Sequence, residues 1–530
     1  MDESQWVPFA FAMVQSRARL QASVNNATCE PMQMIIQGEG GSGKSWLIKH
    51  IVKDVHNVFC EHSATRRTSK RLLLLAHQGT AAFNIKGQTI CSALELTSFS
   101  RNAFSNPYSP MTTQKGGATK LKRLQEQYKD VHLVIIDEFS VISCGMLYWI
   151  DQRMREIWPQ HTHQSFGGRD VVFTDDSAQL DPVIPHALAT PSSKISSPIQ
   201  VLGREIWEGI SIVCTLTSQN QGKADSKWFE ALRRLRSKCP TQADVNLFNS
   251  RYCKASEIPT WAVEAKHIAY LDAKVAEANN HNLKSCSNQI INIRTKDSVK
   301  LKRLAKHRDV SPSSIEALLH DAESSSSDRD RVVGRRLKIA IGAPVSLTYN
   351  MEQRAGLCNG TNGIVYDLIF SDELELPIIL IQISDEYMGP SFLPDVPNIV
   401  PVVPRKVSWG KKASNLTVFR EGIPLRLAYA LTVHKVQGLT CDKVVFHSFS
   451  IPSAAFAYVV LSRVRTREDI VLTAPVTLQQ LQSSSDKRMA FTNEEKRIQQ
   501  AVSSTIAKAE LLISSMKLLA LQHNRALAPR

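Results

Sequence analysis

The chain carries a short glycine-rich segment, GEGGSGKS at residues 38–45, which fits the spacing G-x-x-x-x-G-K-[ST]. A strand-like run, MQMII, precedes it, and apolar residues at helical spacing follow it as far as Phe59. Glycines in such a loop let backbone N–H groups turn towards phosphate oxygens at the N-terminus of a helix. Lys44 is then expected to reach the β- and γ-phosphates, and the Ser45 hydroxyl to ligate Mg²⁺. The segment therefore predicts a P-loop for a nucleoside triphosphate.

A second apolar run ends in two acids, LVIIDE at residues 133–138. Another buried-strand candidate, residues 72–76, lies between this run and the P-loop. At the end of a neighbouring strand, Asp137 is expected to hold Mg²⁺ through water, and Glu138 to orient and deprotonate the attacking water. The two segments together predict an enzyme that hydrolyses a nucleoside triphosphate.

Strand-like runs alternate with helix-period segments, which predicts an α/β fold with mostly parallel sheets. A later set of runs, at residues 212–216, 267–271, 443–449 and 470–474, predicts a second α/β domain. Short β-prone runs with Pro and Gly turns at 345–409 predict a small β-barrel-like insertion. We therefore expect a first domain at 1–205, a second at 206–344 and 410–475, and a tail at 476–530 without an assigned role.

The charge of the chain favours a polyanionic partner. It has 64 Lys and Arg against 49 Asp and Glu, a net charge of +15, and an isoelectric point near 9.3. Nucleic acid is a better candidate than a membrane, because no basic amphipathic anchor stands out. No apolar run approaches the ~20 residues that span a bilayer. The ten cysteines form no Cys-x-x-Cys pair, which argues against a zinc ribbon and predicts a reduced, intracellular protein.

Seven sequence blocks occur in one order along the chain. They are GEGGSGKS at 38–45, HQGTAA with GQTICS at 77–92, LVIIDEFSVIS at 133–143, FGGRDVVFTDDSAQLDPV at 166–183, GLCNGTNGIV at 356–365, LTVHKVQGLT at 431–440 and YVVLSRVR at 458–465. In this order the chain resembles the Pif-one (petite integration frequency) family of superfamily-one 5′-to-3′ DNA helicases. It looks most like the branch found in Helitron-type mobile elements. The resemblance implies two RecA-like domains around an ATP cleft, with residues 93–129 as a strand-separating insertion.

The resemblance also implies roles for single residues. Gln5 matches a glutamine that reads the adenine edge, Gln179 one that senses the γ-phosphate, and Arg463 an arginine finger from the second domain. Added to the P-loop and acid residues, the expected ATP and Mg²⁺ contacts are Gln5, Gly38, Gly40, Gly41, Ser42, Gly43, Lys44, Ser45 and Asp137, with Lys44, Glu138, Gln179 and Arg463 as the catalytic set. The residues expected to bind DNA are Thr80, Thr89, Asn359, His434, Lys435 and Gln437.

The family further implies single-stranded and forked DNA as partners, with a protein that is monomeric or transiently oligomeric on DNA. Its roles would lie in DNA repair, recombination or telomere maintenance. The nucleus is the expected location, and the mitochondrion is the alternative.

The chain departs from the family pattern at several positions. Asp175 and Asp181 stand where a glycine and a proline are usual, Cys91 replaces a histidine, and Asn220 lies in a block without the expected arginine. Loss of one cationic phosphate contact costs on the order of 10³-fold in turnover, with arginine fingers as the guide. An alternative is therefore a degenerate helicase that binds ATP and single-stranded DNA with little turnover. A small-molecule P-loop kinase is a third reading, although it leaves the second α/β domain unexplained.

Overall fold

The computed structural model describes residues 1–60, 71–96, 104, 106–183, 185–217, 225–301, 332–352, 355–383, 387–409 and 416–526. Asn220 lies outside these residues. Two parallel sheets and a β-rich region account for the strands of the described chain. The predicted α/β class with two RecA-like domains and a β insertion is confirmed.

The first sheet has six parallel strands in the order β3-β2-β4-β5-β1-β6. Its strands are β1 (Gln33–Gly38), β2 (Leu72–Ala76), β3 (Gln88–Thr89), β4 (Leu133–Asp137), β5 (Asp170–Asp175) and β6 (Ile212–Leu216). The α-helices that the described residues of this domain form are α1 (Glu3–Val24), α2 (Lys44–Cys60), α3 (Gly79–Asn84), α4 (Ile90–Ala93), α5 (Gly117–Tyr128), α6 (Cys144–Ile157) and α7 (Pro198–Glu208). Strand side chains such as Ile35 and Ile36 belong to two different apolar clusters, because successive residues point to opposite faces. The sheet is therefore buried on both faces, which explains its near-continuous apolar strands.

Strand β6 belongs to the first sheet, whereas residues 212–216 were predicted to lie in the second domain. Residues 34–38 of β1 pair in parallel with residues 212–216. An apolar run identifies a buried strand but not its partner, because pairing depends on residues distant in sequence. The first domain consequently extends past residue 206.

The predicted insertion at 93–129 is anchored to α6 in its described part. The Tyr108 hydroxyl and the Met111 backbone N–H both donate to the Glu156 carboxylate. At the end of α5 the buried Tyr128 hydroxyl donates to the Ala93 carbonyl over 3.1 Å. These contacts fix the base of the insertion to the first domain, and its role in strand separation stays a prediction.

The second sheet has four parallel strands in the order β18-β7-β19-β20. These strands are β7 (Lys266–Ala269), β18 (Ala430–Thr432), β19 (Val444–His447) and β20 (Ile470–Leu472). The associated helices are α8 (Ser226–Arg236), α9 (Gln242–Asn249), α10 (Asp272–Lys284), α11 (Ala454–Leu461) and α12 (Leu478–Leu481). The fully buried rings of Trp228 and Phe248 meet edge to face in its core, with centroids 5.1 Å apart. This core is separate from that of the first domain.

The β-rich region is wider than the predicted 345–409. It comprises a five-stranded sheet, a three-stranded sheet and a two-stranded pair, all antiparallel. Its strands are β8 (Ile291–Arg294), β9 (Lys296–Leu301), β10 (Arg336–Ile339), β11 (Pro344–Leu347), β12 (Asn362–Ile369), β13 (Ile378–Ile383), β14 (Ile399–Val402), β15 (Arg405–Trp409), β16 (Leu416–Gly422) and β17 (Leu425–Leu427). Ile293 and Leu425 share one apolar core with the central strands. Strands on both sides of the predicted boundaries therefore belong to this β domain.

After α12, the described part of the tail forms one long helix, α13 (Ser485–Ala526), that bridges the two α/β domains. Phe491 near its start packs in the core of the second domain, and Ile498 packs in the core of the first. Further along, the Thr505 hydroxyl accepts the Val213 backbone N–H of β6 over 3.0 Å. No helix of the described residues is both long and apolar enough to cross a membrane. The tail is thus a structural brace, a role that the sequence did not predict.

Candidate nucleotide site and nucleic-acid interface

The predicted P-loop connects β1 to α2. Gly41 and Gly43 have φ values of +80° and +86°, a left-handed conformation that glycine adopts without steric cost. Lys44 Nζ donates to the carbonyl oxygens of Gly38 and Glu39 over 2.6 and 3.1 Å, so its ammonium group lies over the loop. The loop therefore has the form that fits a chain of phosphates at the start of a helix.

Gln5 lies directly against the P-loop. Its side chain is buried, and its amide donates to the Ser42 carbonyl over 3.3 Å. A Cβ atom at Gly43 would lie only 2.5 Å from the Gln5 amide nitrogen. Helix α1 thus brings the predicted adenine-reading residue next to the phosphate loop, 37 residues away in sequence.

The two acids lie at the carboxyl end of β4, as predicted. Asp137 accepts a hydrogen bond from the Thr174 hydroxyl over 2.5 Å. Glu138 has a φ of +59°, an uncommon conformation for a residue other than glycine that is found preferentially at functional sites. Its carboxylate atom Oε2 is buried without a hydrogen-bond partner among the described residues. A polar ligand such as a water molecule fits this position.

Electrostatics make Glu138 a stronger base than an ordinary glutamate. Burial, followed by the charges of Asp137 and Asp175, raises its pKa well above the usual range, against the opposing effect of Arg463 and Lys44. A raised pKa brings a carboxylate closer to the proton affinity that base catalysis near neutral pH requires. This environment fits the predicted role of Glu138 in activating water.

The extra carboxylate of Asp175 is held by hydrogen bonds beside the site. It accepts the Ser140 backbone N–H over 2.9 Å and the Gln179 side-chain amide over 3.1 Å. Burial raises the pKa of Asp175 to about 6, while the charge of Lys44 opposes this rise. Asp175 therefore connects the predicted γ-phosphate sensor to the loop after β4. The Asp181 carboxylate, in contrast, is exposed, and its Oδ2 lies 3.8 Å from Nζ of Lys487 in α13.

The second domain contributes Arg463 to the cleft. The buried guanidinium donates to the carbonyls of Val459 and Leu439 over 2.7 and 3.0 Å, which fix its direction. A Cβ atom at Gly40 of the P-loop would lie 3.9 Å from Arg463 Nη2. The predicted arginine finger is thus adjacent to the loop where phosphates would bind.

A buried ionic joint, formed by Asp176, Arg236 and Tyr458, connects the two domains and was not predicted from the sequence. Asp176, directly after β5, accepts hydrogen bonds from Arg236 Nε over 2.9 Å and from the Tyr458 hydroxyl over 2.7 Å. Burial alone would raise the pKa of Asp176, but Arg236, Lys44 and Tyr458 bring it below its ordinary value. The sequence signal for this joint is weak, since Arg236 is one of three arginines at the end of an amphipathic helix.

Helix α13 reaches the same joint through Glu495. One carboxylate oxygen of Glu495 accepts from the Gln37 amide over 2.9 Å and from the Ser177 hydroxyl over 2.8 Å. The other oxygen lies 3.6 Å from Arg236 Nη1. Gln37 directly precedes the P-loop glycine Gly38, so the tail contacts both the nucleotide-binding domain and a residue of the second domain.

We expect Glu495→Ala to lower the free energy of unfolding by roughly 1.5–3 kcal/mol, because Gln37, Ser177 and Arg236 lose a charged acceptor. Urea titration followed by tryptophan fluorescence measures this change in the first unfolding transition. Glu510→Ala on the exposed face of the same helix is the matched control, with an expected change within about 0.5 kcal/mol. Equal urea midpoints for the two variants would contradict the role assigned to Glu495.

Two predicted DNA contacts, Thr80 and Asn359, lie where the first domain meets the β domain, and a third, Thr89, lies at the start of α4. Thr80 is in α3, and a Cβ atom at Gly360 would lie 2.9 Å from its methyl group. Asn359, next to Gly360, is exposed, and its backbone N–H donates to the side-chain oxygen of Asn350 over 2.7 Å. Thr89 caps α4, where its hydroxyl accepts the Ser92 backbone N–H.

The other predicted DNA contacts follow β18 in the second domain. The His434 carbonyl accepts the Gln78 amide of the first domain over 3.2 Å. Burial lowers the pKa of Lys435 to about 7, so its ammonium charge is only partly retained at neutral pH. Gln437 is buried and donates to the Ser140 hydroxyl over 3.2 Å. Its position indicates a contact between domains, and a DNA contact stays a prediction.

A cavity of about 930 Å³ separates the first domain from the β domain. Its lining from the first domain includes the basic side chains of His56, Arg71 and Lys86, and its lining from the β domain includes Tyr349 and Asn350. Basic residues beside an aromatic ring are typical of surfaces that follow a nucleic-acid backbone.

The chain matches two family descriptions. PIF1-like helicase matches residues 15–228, and the 2B domain of DNA helicase Pif1 matches residues 325–368. Among curated relatives, ATP-dependent DNA helicase Pif1 of Campylobacter jejuni is 23% identical over 439 residues, which cover 81% of this chain and 86% of the relative. ATP-dependent DNA helicase PIF1 of Danio rerio is 24% identical over 463 residues, which cover 86% of this chain and 61% of the relative.

Solved structures of this family share the fold. Pif1 helicase from Candida albicans has a TM-score of 0.64 at 19% identity, covering 93% of this chain and 99% of that one. Pif1 helicase from Bacteroides in complex with ADP-AlF3 and single-stranded DNA has a TM-score of 0.60 at 22% identity, and the match covers 90% of this chain and 96% of that one. The ordered blocks, both family matches and the common fold show that the chain is similar to PIF1-like helicases over most of its length.

Proposed function

We propose that the chain is an ATP-dependent DNA helicase that translocates 5′-to-3′ on single-stranded DNA and unwinds duplex DNA. The observation that carries this proposal is the composition of the cleft, in which Arg463 from the second domain lies beside the P-loop and near Glu138. A site completed by two domains changes when they move, and this couples hydrolysis to motion along a strand.

Each step of hydrolysis has a residue in a suitable place. Lys44 and the P-loop backbone would bind the phosphates of ATP, while Ser45 and Asp137 would hold Mg²⁺, which neutralises phosphate charge when bound. Glu138 would take the proton from the attacking water, and Arg463 would stabilise charge that develops on the transferred phosphoryl group. Gln179, fixed by Asp175, would sense whether the γ-phosphate is present.

Several observations support DNA as the polymer. The net charge of +15 favours a polyanionic partner. The fold is also similar, with a TM-score of 0.59, to a structure described as two Pif1 helicases unwinding forked double-stranded DNA. Single-stranded and forked DNA are therefore the proposed partners. DNA repair, recombination or telomere maintenance in the nucleus are the proposed biological roles, with the mitochondrion as an alternative location.

The test compares ATP hydrolysis by the full chain with and without single-stranded DNA, followed by unwinding of duplexes that carry a 5′ or a 3′ tail. Stimulation by the strand and unwinding only of the 5′-tailed duplex are expected. Hydrolysis that is indifferent to DNA would refute the proposal and favour a small-molecule kinase. Unwinding from the 3′ tail would refute the proposed direction.

A degenerate helicase with little turnover is a second candidate, favoured by the absence of an arginine in the block around Asn220. In that case Asn220→Arg is expected to raise turnover by up to roughly 10³-fold, because it restores a cation at the phosphates. Phosphate release in the presence of single-stranded DNA measures this gain, with Asn220→Gln as the uncharged control. An unchanged rate in both variants would exclude position 220 as the cause of low turnover.

A further inference from the structure

A second cavity, of about 490 Å³, lies at the carboxyl ends of three parallel strands of the second sheet. Its walls come from β7, from α10, from β19 and from the residues after β20. Ligands of open α/β sheets bind in the crevice outside the carboxyl ends of their strands. The cavity is separate from the ATP cleft, and neither the predicted nor the observed site residues line it.

Large apolar side chains are exposed around this cavity. Phe449, directly after β19, has 75% of its surface exposed, and Leu271, Ile258 and Tyr270 have 43%, 37% and 36% exposed. All four line the cavity. Single exposed apolar residues are ordinary, but a group of them around a concave surface indicates a binding site.

Two histidines of the cavity lining, His267 and His447, satisfy each other. The rings of His267 and His447 stack with their centroids 5.3 Å apart, and His267 Nδ1 lies 3.0 Å from His447 Nε2. The other nitrogen of His267 lies 3.1 Å from the Ala262 carbonyl and must donate to it. Burial lowers the pKa of both imidazole rings. The pKa of His447 falls to about 4, and the neighbouring His267 makes a smaller contribution to this decrease. The histidine pair is therefore uncharged at neutral pH.

A row of aromatic rings connects the cavity to the predicted strand-binding residues. The Tyr270 ring meets the Phe456 ring edge to face at 4.9 Å between centroids. On its other side Phe456 meets the His434 ring at 5.2 Å, also edge to face. The His434 carbonyl accepts the Gln78 amide of the first domain, two residues before Thr80, so the row ends beside predicted strand-binding residues of both domains. The cavity is thus a continuation of the proposed path of the strand.

We infer that this cavity binds one unpaired base of the single strand, with Phe449 as its main stacking surface. The inference rests on the proposed function. A buried phosphate must remain hydrated or paired with a cation. Lys274 also lines the cavity, but its Nζ pairs with Glu277 Oε2 over 2.7 Å, so the described lining residues offer a phosphate no unpaired lysine. A nucleobase has a planar face that stacks on an aromatic ring whatever its sequence. An unstacked base is therefore the part of the strand that this site accepts.

The experiment measures binding of the full chain to two fluorescently labelled strands of equal length by anisotropy. One strand is oligothymidine, and the other carries abasic tetrahydrofuran residues in place of its bases. Phe449→Ala is expected to weaken binding of oligothymidine roughly five- to a hundredfold and to leave binding of the abasic strand unchanged, because one base stack is lost. Phe449→Trp is expected to retain the affinity for oligothymidine.

Phe370→Ala is the matched control, since Phe370 is 66% exposed but lies after β12 in the β domain. It is expected to bind both strands as the unsubstituted chain does. An equal loss on both strands, or no loss in Phe449→Ala, would overturn the base site. If the unsubstituted chain binds neither strand, the proposed function itself fails, and the base site fails with it.

Discussion

Lys44→Ala is expected to lose ATP hydrolysis by at least about 10³-fold, both with and without single-stranded DNA. The reason is that Lys44 Nζ lies over the P-loop, within 2.6 Å of the Gly38 carbonyl, where it would contact the β- and γ-phosphates. A cation at these phosphates is worth roughly 10³–10⁵-fold in phosphoryl transfer. Release of inorganic phosphate at saturating ATP measures the loss.

The matched control for this change is Lys49→Ala. Lys49 lies on the same helix, α2, but is exposed on its outer face. Its removal is expected to leave the turnover rate within about twofold, because surface substitutions away from a site usually change little. Residual hydrolysis in Lys44→Ala at the rate of Lys49→Ala would refute the assignment of the P-loop as the site of hydrolysis.

Arg463→Ala is expected to lower kcat by roughly 10³–10⁵-fold, because an arginine finger acts on charge that develops during transfer. ATP affinity should fall much less, since Lys44 and the loop backbone remain. Arg463→Lys should not restore the rate, because an ammonium group lacks the planar fork of a guanidinium. Steady-state hydrolysis gives kcat, and a fluorescent ATP analogue gives affinity.

The exposed Arg465, two residues further along, is the control for Arg463. Arg465→Ala is expected to retain kcat. Because Arg463 is buried and donates to two carbonyls, the unfolding midpoint of Arg463→Ala must be measured alongside. A variant that remains folded and keeps full turnover would show that the arginine has only a structural role.

Local sequence predicted the strand, loop and helix around the P-loop well, because they are encoded by adjacent residues. The P-loop, its preceding strand and its following helix lie within residues 33–60, and the two acids lie at the end of their own strand. Glycine spacing and apolar periodicity report such units directly. The position of Arg463 came from the resemblance, since nothing in its immediate surroundings indicates a contact with the other domain.

Contacts between distant residues were not predictable from patterns. Asp176 and Arg236 are 60 residues apart, and Ser177 and Glu495 are 318 apart. Each residue taken alone resembles a surface side chain, so only folding brings them together. The pairing of β6 with β1, and the inclusion of β8 and β17 in the β domain, have the same cause.

Helix α13, which braces the first domain, is synthesised long after the strands of that domain. Val213 in the edge strand β6 is held by Thr505, which the ribosome adds 292 residues later. During that interval the edge strand and the apolar surface beside it are uncovered, and uncovered edges tend to pair with other chains. The first domain should therefore aggregate when expressed without α13, and the nascent chain should depend on chaperones until synthesis has passed this helix.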